Sequence, residues 1–179
     1  TSYFLVTAQH GIPEIRSAGF LYLLMAHIGA IAILLSFGIL QGGTWLFSFD
    51  AMRASTLSTP WATAAFLLAL FAVVAMAGLL PLHVWLPEAH PAAPSPVSAL
   101  MSGVMLKTAI YGVLRVTFDL IGDPLWWWGL IPLALGLATA IFGVVFAAVQ
   151  TDMKRLLAYS SVENIGVLFT GIGLAIVFH

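Results

Sequence analysis

A handful of side chains in this chain could give and take protons: Lys107, His83, Glu163, His27 and Tyr111, with Glu88 and His90 in a proline-rich stretch. Lys107 stands in the middle of SALMSGVMLKTAIYGVLR, Ser98 to Arg115. A helix over Pro96 to Phe118 would place it roughly 16 Å from either end, at the midplane of a hydrocarbon core about 30 Å thick. Insertion scales put a central lysine at about 2.5 to 3.5 kcal/mol unfavourable, so it should face a protein interior or a water-filled cavity. It could pass protons there, or pair with a buried carboxylate and only fix helix order. Steps of four residues put Ala99, Gly103, Lys107, Tyr111 and Arg115 on one face. A neighbouring helix could pack closely at the small end of that row.

The other candidates each carry two readings. His27, alone among Ala and Gly, is a hydrogen-bonded packing residue or a proton carrier. Glu163 lies about 12 Å beyond Arg155 by helical rise, below the headgroups but short of the midplane, and could snorkel, pair or relay a proton. His83, Glu88 and His90 belong to PLHVWLPEAHPAAPSP. They are candidates for proton entry or relay, or polar groups of an interfacial loop that meet headgroups and water; for Glu88 and His90 the loop reading is preferred, because neither lies in an apolar run.

What must position these groups is a membrane protein. Of 179 residues, 61% are hydrophobic and only 7% charged, and mean hydropathy is +1.07. Soluble domains carry about 25% charged residues. The net charge of −1 and the lack of a basic patch argue against a nucleic-acid partner. With no cysteine, a disulfide, a thiolate metal site or an iron–sulfur cluster cannot reside here. No cofactor or metal ligand set is expected, and no catalytic centre.

The apolar runs give spans over residues 18–41, 61–80, 96–118, 125–149 and 156–178. Thr1 to Thr7 read as the end of a preceding helix, and Gln9 to Ser17 as a short polar connection. Gly42 to Pro60 is a polar loop bracketed by Trp45 and Trp61; Trp126, Trp127 and Trp128 read as an interfacial anchor. Five prolines from Pro81 to Pro96 leave no regular helix over 81–95, a broken continuation of the second span. Irregular backbone at membrane depth is tolerated only where protein or a water-filled cavity covers it. Alternation of spans puts Arg16, Lys154 and Arg155 on one side and Arg53 and Arg115 on the other, which leans towards the Arg16 side being cytoplasmic.

The segments PLHVWLPEAHPAAPSPVSALMSGVMLKTAIYGVLR and QTDMKRLLAYSSVENIG resemble the antiporter-like membrane subunits of energy-converting complexes. These include the proton-pumping subunits of respiratory complex I, subunits of multi-subunit sodium/proton antiporters and membrane subunits of group 4 hydrogenases. HPAAPSPVSALMSGVMLKT, SSVENIG and the opening TSYFLV with AGFLYLLMAHIG are most similar to the large membrane subunits of formate hydrogenlyase and hydrogenase-4. The resemblance implies an all-α, polytopic bundle, an internal fragment of an inverted-repeat fold with one broken helix, in a bacterial or archaeal inner membrane. It implies a proton-relay role for Lys107, places His83 near the break and connecting to Lys107, and gives Asp152, Lys154 and Arg155 an orienting role.

It further implies lipid, protons and the hydrogenase or dehydrogenase subunits of a larger complex as partners, with electron transfer there driving proton movement through a buried lysine. A scaffold with a non-conducting axis and a sodium/proton antiporter subunit are the alternatives. Met76 stands where the family's broken helix carries a lysine, just before AGLLPLH. A thioether holds no proton. The family's glutamate of the preceding helix would fall before residue 1.

Overall fold

The computed structural model describes residues 7, 11–43 and 45–179. The helix end expected over Thr1 to Thr7 lies outside them, apart from Thr7. Among the described residues all regular structure is helical, and five segments are long and apolar enough to cross a membrane: Pro13–Leu40, Thr59–Ala92, Ser95–Ile121, Trp126–Val149 and Met153–Val177.

Helix α1, Pro13–Leu40, starts earlier than the expected polar connection allows. Pro13 sits in the first turn, where a missing N–H is no loss, and Glu14 beside it suits the positive end of the helix. Helix α2, Phe49–Ala54, is a short turn within the 42–60 loop; the Ser48 hydroxyl caps it by accepting from Ala51 N at 3.3 Å. Helix α3, Thr59–Ala77, is the most enclosed span. The Ser36 hydroxyl of α1 donates to Ala65 O of α3 at 2.8 Å, and Gly29 lets α1 close on α3 so tightly that an added Cβ would lie 2.7 Å from Met76 Cγ.

The break follows Ala77. Gly78 takes the left-handed conformation, φ 72° and ψ 42°, as a helix C-terminus favours, and Leu79 N reaches back to Val74 O at 3.1 Å. Leu80 N donates to the Thr139 hydroxyl at 3.2 Å, and Trp85 Nε1 donates to Ala75 O at 2.9 Å. Backbone groups freed by the break thus find partners inside protein, the condition for irregular chain at this depth.

The expectation that no regular helix survives from Pro81 to Pro96 is corrected. A 3₁₀ turn over Leu82–Val84 leads into α4, Trp85–Ala92. Pro87 falls in its first turn, where the N–H would be unpaired anyway, and Pro91 comes one residue before the end. The prolines bound this helix without abolishing it.

Helix α5, Ser95–Ile121, contains two wide π turns, Met101–Met105 and Arg115–Ile121, on either side of the α-helical Leu106–Leu114. Helix α6, Leu130–Val149, follows a 3₁₀ turn over Trp126–Gly129. Trp126 is exposed, but Trp128 is 1% exposed and stacks on Phe66 at 4.8 Å. The expected tryptophan anchor therefore includes one core residue, because neighbouring positions on a helix point in different directions. Helix α7, Met153–Val177, is capped by the Asp152 carboxylate, which accepts from Lys154 N at 3.0 Å. Gly129, Gly136 and Gly143 of the α6 segment face Gly173, Gly166 and Glu163 at backbone contact, so the last two spans form the tightest seam of the fold.

Candidate functional site

Burial along the central part of α5 falls on Leu106, Ala109, Ile110 and Val113. That stripe turns Lys107 and Tyr111 to the other side, where both are exposed, Tyr111 to 60%. The row Ala99, Gly103, Lys107 and Tyr111 is open along its length, and a Cβ on Gly103 would meet nothing within 4 Å. Among the described residues Lys107 is not buried and no helix packs against the small end of its row. Arg115 leaves the row: its Nε lies 3.0 Å from Asp119 Oδ2, an ion pair without hydrogen-bond alignment, and its guanidinium covers the Phe49 ring at 5.2 Å.

Lys107 lines a cavity of about 500 Å³ between α5 and α7, together with Ser102, Gly103, Ser161 and Asn164. A second cavity, about 430 Å³, is lined by those last four residues and also by His90, Ser95, Ser98, Ser160 and Lys154. The two spaces therefore meet at Ser102, Gly103, Ser161 and Asn164, and together run from the Lys154 end of the bundle to Lys107. Polar groups recur along them among apolar side chains. Ser161 donates to Leu157 O at 3.0 Å, so its single proton is taken, and the Ser102 hydroxyl, 3.0 Å away, must be the donor in their mutual bond. Asn164 Nδ2 donates to Ser160 O at 2.8 Å, leaving its carbonyl oxygen free for water.

His90 overturns its interfacial-loop reading. It is only 4% exposed, its Nδ1 lies 2.5 Å from the Ser98 hydroxyl, and its buried Nε2 has no partner among the described residues. Helix α4 is folded against α1 and α7, and this carries the histidine inside. Lys154 Nζ donates to Ala93 O at 3.1 Å beside it, and Glu88 stands 3.6 Å from Arg155 at the exposed rim.

The remaining candidates lie elsewhere. His83 sets its ring edge-on to Phe142 at 4.7 Å and lines neither polar cavity, so the expected link from His83 to Lys107 is not formed within this chain. His27 is exposed on α1 and bonds the Leu23 carbonyl one turn back at 2.8 Å, which satisfies it locally. Glu163 is half-buried, touches neither cavity, and has no hydrogen bond or ion pair among the described residues. Met76 is 38% exposed and lines a small cavity of about 20 Å³ with Tyr22, Ala26, Trp85 and Met105. Sequence reasoning missed Ser98, Ser102, Ser161 and Asn164. The signal was present: Ser98 and Ser102, and likewise Ser160 and Asn164, are four apart in apolar helices and so share a face.

At the far end of the bundle, Arg53 grips Asp119 with two bonds, Nε to Oδ1 at 2.9 Å and a terminal nitrogen to Oδ2 at 3.0 Å, and reaches Asp50 at 2.7 Å. The Asp119 hydrogen bonds raise the Arg53 pKa above its ordinary value. This clamp ties the short α2 to the end of α5.

Five apolar spans, one of them broken, define a polytopic membrane protein, and a cleft between two of them reaches a lysine. The model of the NADH:quinone oxidoreductase/Mrp antiporter transmembrane family matches residues 1–177, and the chain belongs to that family. It is 46% identical over 180 residues to hydrogenase-4 component B of Escherichia coli K12, covering 99% of this chain and 26% of that protein. To formate hydrogenlyase subunit 3 of the same organism it is 44% identical over 103 residues, 56% of this chain and 16% of that one. Among solved structures, a chain of the Mrp complex from Dietzia sp. DQ12-45-1b superposes with a TM-score of 0.79 at 27% identity, covering 90% of this chain and 30% of that chain. The chain thus spans about a quarter of the length of hydrogenase-4 component B. It is a multi-pass membrane protein with an antiporter-like fold, all-α among the described residues.

Proposed function

We propose that this chain is the part of a proton-translocating subunit that takes protons from the Lys154 end of the membrane to Lys107. His90 receives them from the wall of the outer cavity, water held by Ser98, Ser102, Ser161 and Asn164 carries them inward, and the lysine amine holds them at mid-depth. Electron transfer in the hydrogenase or dehydrogenase subunits of the same complex drives the cycle. The observation that carries this reading is the junction of the two cavities at Ser102, Gly103, Ser161 and Asn164, with His90 on one and Lys107 on the other. A hydroxyl-lined cleft in an apolar bundle serves water, and intramembrane ionisable groups beside such a cleft mark ion paths.

A second reading is favoured by one residue. Met76 puts a thioether where the family resemblance expects a lysine, and its surroundings of Tyr22, Ala26, Trp85 and Met105 supply no buried acid or base pair. On that reading the fold is kept as a scaffold that docks the redox subunits. Proton uptake by membrane vesicles holding the intact complex separates the two. Lys107→Met should abolish uptake while redox turnover continues; uptake at the wild-type ratio to turnover leaves only the scaffold.

A further inference from the structure

Among the described residues Glu163 is a carboxylate without a counter-charge. It lies ten residues into α7, about 15 Å from the start of the helix by axial rise. A glutamate side chain is shorter than the lysine and arginine chains that snorkel from such depths. The α6 backbone presses on it: a Cβ on Gly143 would lie 2.7 to 2.9 Å from Glu163 N, Cα and Cβ. The side chain therefore leaves the α6–α7 seam at its rim, away from the buried face carrying Val162, Ile165 and Phe169.

On that rim Glu163 heads a stripe with Val167, Gly171 and Leu174, spaced as one face of a helix. Val167 is 58% exposed, and a Cβ on Gly171 would meet nothing within 4 Å. The stripe is apolar, has room for close approach at Gly171, and carries one negative charge. Facing lipid, an ionised carboxylate at this depth is among the costliest placements available to a side chain.

We infer that the Glu163 stripe is the docking face for another membrane helix of the same complex, one that presents a basic side chain at mid-depth to the carboxylate. Charge complementarity selects this occupant. A second copy of the chain related by a two-fold axis would bring two Glu163 carboxylates together. Lipid would leave the charge unpaired. Val167 also lines the Lys107 cavity, so the docked helix would stand beside that cavity; the inference concerns assembly and is read out by assembly, not by proton uptake.

The test uses the full-length protein in its assembled complex in native membranes. Val167, which is apolar and open, is replaced by p-benzoylphenylalanine, and crosslinked peptides are sequenced after irradiation. The expected product joins position 167 to an apolar helix outside residues 1–179 that carries Lys, Arg or His within a turn of the crosslink. Crosslinks only to lipid, to a second copy of α7, or to a helix lacking a basic residue overturn the inference. Charge exchange supplies the independent arm: Glu163→Lys lowers the yield of assembled complex several-fold, and the reciprocal change of the crosslinked basic residue to Glu restores it. A Glu163→Lys complex that assembles at wild-type yield also overturns the pairing.

Discussion

The hydroxyl oxygens of Ser102 and Ser161 lie 3.0 Å apart across the α5–α7 interface, where the cavity reaching in from His90 meets the cavity of Lys107. The pair stands at this junction with Gly103 and Asn164. The Ser161 proton is committed to Leu157 O, so a water arriving at the junction finds lone pairs on Ser102 and the free carbonyl of Asn164. Two helices that start at the same end of the membrane thus bring a ladder of short polar side chains into register.

Ser102→Ala should slow proton uptake in vesicles without changing redox turnover. One hydrogen bond of about 1 kcal/mol corresponds to a roughly fivefold change in rate. Ser102→Thr keeps the hydroxyl and should retain most of the uptake. Equal uptake in Ser102→Ala and wild type would remove the junction from the path.

The spans and the break were legible because hydropathy and proline placement report length and interruption. Direction was not. In a membrane the lipid-facing side of a helix is as apolar as the side facing protein, so the uncharged α3 gives no sign of which face is buried, and nothing in the spacing of Lys107 said that Leu106, Ala109, Ile110 and Val113 would take the interior. His90 was obscured for a related reason. Its proline-rich surroundings read as loop, whereas Pro87 and Pro91 occupy the two ends of a short helix that folds inward. Small polar residues at four-residue spacing held more of the site than its charged residues did.

Thr139→Val should destabilise the fold with little change in shape. Thr139 is fully buried, and its hydroxyl accepts from Leu80 N at 3.2 Å while donating to Leu135 O at 2.6 Å. Valine leaves a backbone donor at the break without its acceptor, costing about 1 to 3 kcal/mol. Thermal unfolding of the purified complex measures this, with Thr139→Ser as the variant expected to hold near wild type.

Gly136→Ala should separate α6 from α7. The added methyl would lie 2.5 Å from Thr170 N and 2.7 Å from Gly166 O, both backbone atoms that cannot swing aside. Overpacking of this kind costs typically about 1 to 3 kcal/mol. Gly38→Ala, where a Cβ meets nothing within 4 Å, is the matched control. There the change should be neutral or stabilising by about 0.5 to 1 kcal/mol through helix propensity. The yield of folded protein and its thermal midpoint should separate the two variants clearly.

Met76→Lys tests whether the broken helix can regain a proton site by one substitution. The Met76 side chain crosses Gly29, with the small cavity of Tyr22, Ala26, Trp85 and Met105 beside it. A lysine stem fits over Gly29 as methionine does. Its ammonium would then enter a space with no carboxylate among its lining residues, at a depth where insertion costs about 2.5 to 3.5 kcal/mol. The expected result is a lower thermal midpoint and no rise in protons taken up per redox turnover. Paired with Lys107→Met, the variant should stay silent, because the cleft from His90 ends at position 107 and does not include position 76. Restored uptake in the Met76→Lys, Lys107→Met double variant would show that protons reach the break by another route, and would displace the serine-lined cleft as the path.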